Sequence, residues 1–403
     1  MCYTANARFF CALTQVFLRS EHMIYLDNSA TTRVLPEAAD AAFRAMTEQF
    51  YNPSSAYKPA VAAEKAVELA RANLASALGC TAGELLYTSG GTESNNMAIL
   101  GVLKPVRGKK RIITTAGEHP SVYEVFRSLD GASDTEVVFV GLNADGTVNL
   151  KKLEAALTPD TALVSVMHVN NEVGAVNDLG AISALLKLHA PAALLHSDGV
   201  QAFCKLPFAK TAADLYSISA HKFHAPKGVG ALFVKNGVKF AGGQIGGGQE
   251  KNLRSGTTNV PGILALDAAL AQYRANQAQW IANMRACKFR LWQNLSAIPD
   301  VLLNGPAPEA GAPHILNVSF PGVRGEVLVN ALSEREIYVS TGSACSTHKK
   351  GQNRIHAAMG ISGVRAEGAL RFSLCPFNTL EEMDAAATAL AEQVLFLRRF
   401  QRR

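Results

Sequence analysis

From Glu84 to Val234 the chain repeats one pattern, in which a short apolar run ends in a polar turn and a helical stretch usually follows. Leu85-Leu86-Tyr87-Thr88, Ile112-Ile113-Thr114-Thr115, Val137-Val138-Phe139-Val140, Leu163-Val164-Ser165-Val166, Ala193-Leu194-Leu195-His196, Leu215-Tyr216-Ser217-Ile218 and Ala231-Leu232-Phe233-Val234 each read as a buried strand. Parallel strands need crossover connections and cover on both faces, so the alternation predicts an α/β fold with a mostly parallel sheet. Ligands of such sheets bind at the carboxyl ends of the strands. That is where His119, Asn170, Asp198, Gln201, Ser219, His221 and Lys222 fall. One shared pocket is the expectation.

The residue types at that edge suggest a chemistry. Lys222 ends the run Asp214-Leu215-Tyr216-Ser217-Ile218-Ser219-Ala220-His221-Lys222. An amine partly withdrawn from water there has a lowered pKa and is free to form a Schiff base. Gly90-Gly91-Thr92 lies between a strand and an apolar helix. Its free backbone N–H groups and the positive helix end make an anion cradle, with the Thr92 hydroxyl beside it. An amine, an anion cradle and Asp198 at one sheet edge point to pyridoxal 5'-phosphate. Asp198 would keep the pyridine nitrogen protonated and Gln201 would bond the phenolic oxygen. Asn170 would do similar work or hold a substrate carboxylate, and His119 would stack on the ring or move protons. Gly91, Thr92, Ser219 and His221 would hold the phosphate.

Composition removes several other classes. With 403 residues, 48% hydrophobic and 18% charged, the chain suits a soluble globular enzyme with room for two domains. A net charge of +6 without a basic, aromatic-laced stripe argues against direct nucleic-acid binding. No apolar stretch reaches bilayer length. Seven scattered cysteines make no disulfide framework, so a cytoplasmic setting is expected. The apolar run Phe9-Phe10-Cys11-Ala12-Leu13 is broken by Thr14-Gln15 and shows no cleavage pattern. Residues 1–22 are therefore expected outside the folded core.

Seven motifs occur in order: Asp27-Asn28-Ser29-Ala30-Thr31-Thr32, Ser89-Gly90-Gly91-Thr92-Glu93-Ser94-Asn95, His168-Val169-Asn170-Asn171-Glu172, His196-Ser197-Asp198-Gly199-Val200-Gln201, Ser219-Ala220-His221-Lys222, Arg254-Ser255-Gly256-Thr257 and Ser343-Ala344-Cys345-Ser346. Together they resemble the cysteine desulfurases, in the class V aminotransferase group of fold-type I pyridoxal-phosphate enzymes, over nearly the whole chain. The resemblance implies a large domain over residues 31–278 with a mostly parallel seven-stranded sheet. A smaller α+β domain would form from 23–30 and 279–403. It further implies that Lys222 carries the cofactor, that Arg371 grips the carboxylate of L-cysteine, and that Cys345 is the persulfide-forming nucleophile. Thr257 would reach the phosphate of the other subunit of a homodimer. The products implied are L-alanine and sulfur passed to an acceptor protein such as an iron–sulfur scaffold, or into tRNA or cofactor thiolation.

Cys345 lies in a small polar loop beside His348, Lys349 and Lys350, a setting that favours an accessible thiolate. Cys80, Cys204, Cys287 and Cys375 read instead as small core residues. A Cys345/His348 metal site lacks further nearby ligands, and no metal is expected. Cys375-Pro376-Phe377 departs from the family, where a glycine and a polar or basic residue usually follow the Arg371 strand. A selenocysteine lyase or an aminotransferase on the same cofactor remains a competing reading, as does a non-catalytic sulfur-transfer scaffold. Dependence on Cys345 separates the first two, and cofactor binding separates the last.

Overall fold

The structure is a computed structural model that describes residues 23–342 and 353–400. Its strands are β1 (Ile24–Tyr25), β2 (Leu85–Thr88), β3 (Lys110–Thr115), β4 (Thr135–Val140), β5 (Thr161–Ser165), β6 (Leu194–Asp198), β7 (Leu215–Ser219), β8 (Gly230–Val234), β9 (Leu302–Asn304), β10 (Ile315–Ser319), β11 (Ile337–Tyr338) and β12 (Ala369–Ser373). Seven of them form one sheet in the order β2-β8-β7-β6-β5-β3-β4. All neighbouring pairs are parallel except the two made by β8, which runs against β7 and β2. The mostly parallel seven-stranded sheet is thus present.

Side-chain alternation explains why the sheet is covered on both faces. Ile112, Leu163, Leu215 and Leu232 pack on one face with Met97, Ile99 and Val102 of the helix Gly91–Leu103. Their chain neighbours Ile113, Val164, Tyr216 and Ala231 enter the opposite core with Leu74, Ile182 and Leu266. Successive strand residues point to opposite faces, so an apolar pair at each position supplies both cores at once. The helix Lys58–Leu78 ends where the sequence places its stop, at Gly79, which takes the left-handed cap with φ 66°.

The strand order turns back at β3 and β5, because β4 lies outside β3 and β5 inside it. Such a switch point opens a crevice at the carboxyl ends. A second core is built on β12-β10-β9 and the pair β1-β11, with the helix Leu380–Arg398 against them. Residues 24–28 belong spatially to this region, since Ile24 pairs with Ile337 and Asn28 donates to the Ser373 carbonyl. The helix Val260–Ser296, about 55 Å long at 1.5 Å per residue, joins the two cores. Its Ile263, Leu266 and Leu270 enter the first core, and its Cys287, Leu291 and Leu295 enter the second. The expected boundary at 278/279 falls inside this unbroken helix.

Candidate active site

β7 carries Ser219 at its end, and a single 3₁₀ turn, Ala220–Lys222, then throws Lys222 back toward the N-terminal segment. Lys222 Nζ donates to the carbonyls of Ser29, at 2.5 Å, and Ala30, at 2.8 Å. The lysine is half-buried. His221 Nδ1 lies 3.1 Å from the Thr31 hydroxyl. Burial first, then the charges of Lys222, Lys205 and Lys227, push its imidazole down to about 3, so it is neutral.

The anion cradle stands beside this turn. Gly90, at φ 150° and ψ −173°, occupies backbone space that glycine alone enters readily. A Cβ on Gly90 would sit 3.5 Å from the Ser219 hydroxyl, and one on Gly91 would come 2.7 Å from Val200. No side chain among the described residues caps the N-terminus of the helix Gly91–Leu103. Its first N–H groups are therefore left to an anion, and Thr92 is exposed next to them.

Asp198 ends β6 and is buried. Its Oδ1 accepts the Val200 N–H at 3.0 Å and its Oδ2 accepts Asn95 Nδ2 at 2.8 Å. Asn95 also donates to the Ser121 hydroxyl at 2.9 Å, and that oxygen lies 2.8 Å from His119 Nδ1. His119 caps the helix Pro120–Leu129 by accepting the Ser121 N–H on Nδ1. An accepting Nδ1 leaves the ring proton on Nε2. Burial holds the imidazole below its ordinary pKa; Asp198 pulls the other way, and Lys222 and Arg354 add to the depression.

Gln201 is buried and donates through Nε2 to the Ser29 carbonyl at 3.0 Å, the same carbonyl that receives Lys222. Asn170 is committed to the backbone. Its Oδ1 accepts the N–H groups of Glu172 and Val173 at 2.9 and 3.0 Å, while Nδ2 donates to the Gly117 carbonyl at 3.1 Å. Arg371, 3% exposed in β12, donates to the Asn171 carbonyl at 3.1 Å and pairs with Asp27 at 2.7 Å. Among the described residues its Nε and the Asn171 Oδ1 are buried without partners, as suits groups that take a polar ligand. Thr257 is exposed, and its hydroxyl meets none of the other site residues among the described residues. Cys345 lies outside the described residues.

Several contributors were not singled out in the sequence. Asn95 and Ser121 link Asp198 to His119. Glu118, the residue before His119, is fully buried, and desolvation raises its carboxyl to about 8 against the pull of the Met167 N–H and the Thr115 hydroxyl. Its Oε2 has no partner among the described residues. Glu172 accepts from Asn353, and burial raises its pKa as well. Asn95 and Glu172 stand inside quoted motifs, and Glu118 immediately precedes His119, so adjacency was the available signal. Of the cysteines, Cys204 and Cys287 are buried as expected, while Cys80 and Cys375 are half-buried.

The residues fit pyridoxal 5'-phosphate. The glycine cradle, the uncapped helix start and Ser219 suit a phosphate; the buried carboxylate of Asp198 suits a protonated ring nitrogen; Lys222, at the end of the turn that follows Ser219, supplies the amine.

Comparison with known proteins agrees with this geometry. The family model for class-V aminotransferases matches residues 24–386. The chain is 39% identical over 379 residues to a cysteine desulfurase of Trichormus azollae, covering 93% of this chain and 94% of that protein. It is 40% identical over 369 residues to the cysteine desulfurase IscS of Escherichia coli, covering 90% of each. A solved NifS-like protein superposes with a TM-score of 0.87 at 36% identity, over 93% of this chain and all of that one. The fold and site thus place the chain in the class-V aminotransferase family of pyridoxal-phosphate enzymes. Within that class it belongs with the cysteine desulfurases.

Proposed function

We propose that this cysteine desulfurase removes sulfur from L-cysteine with Lys222 as the proton-moving amine and Cys345 as the sulfur acceptor. The observation that carries the reading is the meeting of Lys222, the Gly90–Gly91 cradle and buried Asp198 at one sheet edge. Pyridoxal phosphate supplies an electron sink that makes the substrate Cα proton acidic. Arg371 binds the substrate carboxylate through its planar fork, Nε being a donor without a partner among the described residues. Lys222 Nζ takes the Cα proton, and the neutral His119, with its proton on Nε2, exchanges a proton at the cofactor face. The Cys345 thiolate attacks the substrate sulfur. As the S–S bond forms the Cβ–S bond breaks, leaving a persulfide on Cys345 and, after protonation at Cβ, alanine.

The four cysteines among the described residues are poor rivals to Cys345. Burial raises the thiols of Cys80, Cys287 and Cys375 to about 11 and lifts that of Cys204 well above its ordinary value, so these four are poor thiolates. A homodimer is part of the proposal, with Thr257 crossing to the partner's phosphate site. Support comes from Phe43, Met46, Phe50 and Tyr57, each more than half exposed, and from Ile245 at 102%. The persulfide passes to an acceptor protein of the iron–sulfur scaffold or thiolation type. A cytoplasmic site of action is proposed; no helix among the described residues is long and apolar enough to cross a membrane.

The test is Cys345→Ala, assayed for alanine, sulfide and protein-bound sulfur by mass spectrometry with L-cysteine as substrate. Loss of the added sulfur and of alanine formation is expected while the visible cofactor band persists. Full alanine production by the variant would sink the assignment of Cys345. It would favour the lyase reading, whereas a keto acid formed independently of Cys345 would favour the aminotransferase.

A further inference from the structure

The turn that follows β6 brings Gln201 and Lys205, four residues apart, to the same place. Lys205 Nζ donates to Gln201 Oε1 at 3.2 Å, and His314 Nε2 lies 3.3 Å from that same oxygen. An amide oxygen only accepts, so His314 carries its proton on Nε2. With two donors on its oxygen, the Gln201 amide has one orientation left, and its Nε2 faces the Ser29 carbonyl that also receives Lys222. The row runs without a break from Lys205 through Gln201 and Ser29 to Lys222.

Lys205 is 2% exposed, an unusual place for an amine. Among the described residues the titratable groups that act on it are Lys222, Arg371, Cys204 and Cys375, with no carboxylate among them. His221, His224 and His314 face it as well. The residue before it, Cys204, is held at φ 67°, a left-handed conformation that a non-glycine side chain keeps only where its surroundings impose it. Burial holds the Lys205 amine down to about 7, so much of it is uncharged at neutral pH and needs no counter-ion.

We propose that Lys205 is a positioning residue for the coenzyme: with His314 it grips the Gln201 oxygen and so turns the Gln201 amide nitrogen toward the coenzyme's ring oxygen. The proposal rests on the placement of Gln201 against the coenzyme. A lysine kept merely to fill space would be replaced without consequence by methionine, which has the same reach and no donor.

The experiment compares Lys205→Met, Gln201→Leu and the double variant with the unaltered holoenzyme. Two readouts besides turnover are taken: the dissociation constant for pyridoxal phosphate, and the pH midpoint of the visible absorption band. Losing one neutral hydrogen bond predicts a roughly two- to tenfold weaker affinity in Lys205→Met. A displaced band midpoint should accompany it. Because Lys205 acts through Gln201, Lys205→Met should add little in the Gln201→Leu background. If Lys205→Met does not fold, His314→Phe removes the second donor and should move both readouts in the same direction. An unchanged affinity and midpoint in the foldable single variant, or a full additional effect on top of Gln201→Leu, overturns the proposal. If Gln201→Leu itself changes neither readout, the placement of Gln201 falls and the proposal with it. A shifted Gln201→Leu beside an unshifted Lys205→Met removes the proposal alone.

Discussion

The turn at 199–205 and the strand end at 219–222 each deliver a lysine to the network around the Ser29 carbonyl, and the two amines differ in burial. Lys222 is half-buried and holds two backbone carbonyls. Lys205 is sealed and holds the oxygen of a side-chain amide. Carbonyl partners are neutral and can be given up when an amine must reach a ligand, whereas a sealed amine has nowhere to go. The difference teaches that one site can use the same functional group in two ways. Exposure to the pocket suits proton movement, and burial suits the orientation of a neighbour.

The most direct way to break this contrast is to remove each amine in turn. Lys222→Ala is expected to lower alanine formation by roughly a thousandfold or more, the loss typical of a catalytic acid–base group with a covalent role. Lys205→Met should cost about tenfold or less. Equal losses would erase the distinction. Arg371 offers a third buried cation, and unlike Lys205 it has a carboxylate partner in Asp27. Arg371→Leu should reduce kcat/KM for cysteine by about 10- to 100-fold, the value of one or two charge-assisted hydrogen bonds. The change should fall mainly on KM.

Stability against pH sharpens the contrast in a different way. Lys205 has a folded pKa of about 7 against an ordinary value of 10.5, so between these pH values the unfolded chain binds more protons. Wild-type stability therefore gains from this group as pH rises from about 7 to 10.5. Lys205→Met abolishes that slope, and its advantage is greatest below pH 7. Glu118 has the opposite sign. Its carboxyl is raised from 4.5 to about 8, so the folded chain binds more protons in that window and stability falls as pH rises through it. Glu118→Gln should match the wild type at acid pH and exceed it in alkaline buffer, by about 5 kcal/mol at most. Urea titrations at saturating coenzyme measure both, and parallel pH curves for variant and wild type would show that burial does not set these protonation states.

Much of this was legible in the chain and some was not, for physical reasons. Strands such as Leu215-Tyr216-Ser217-Ile218 announce themselves by apolar side chains on both faces, and Gly79 by the cap it must form. The reversed direction of β8 was not legible, because an apolar run carries no sign of its orientation. The crossing of Val260–Ser296 between two cores is equally silent, since either half reads as an ordinary amphipathic helix. Residues carried by motifs, such as Asp198, Lys222 and the Gly90–Gly91 pair, were found at one sheet edge. Asn170 was also found there, but its side chain is engaged by backbone groups that only the folded loop brings near it. Lys205 and Glu118 were passed over because lysine and glutamate default to the surface, and only tertiary packing reverses that default.

The smallest expected effect concerns the link between Asp198 and His119. Ser121 stands between Asn95 and His119 Nδ1, and its backbone N–H already donates to that nitrogen. Ser121→Ala removes only the hydroxyl. The neutral imidazole loses one of two donors on Nδ1, so its protonated form is slightly less disfavoured and its pKa should rise. A neutral hydrogen bond is worth about 0.5–1.5 kcal/mol, which bounds the rise at about one pH unit. The acid limb of the kcat profile should move upward by that amount or less, with KM for cysteine unchanged. A limb that moves downward would mean that the hydroxyl accepts from the protonated ring at Nδ1 rather than donating to the neutral one, and that the imidazole is kept neutral by burial and the backbone alone.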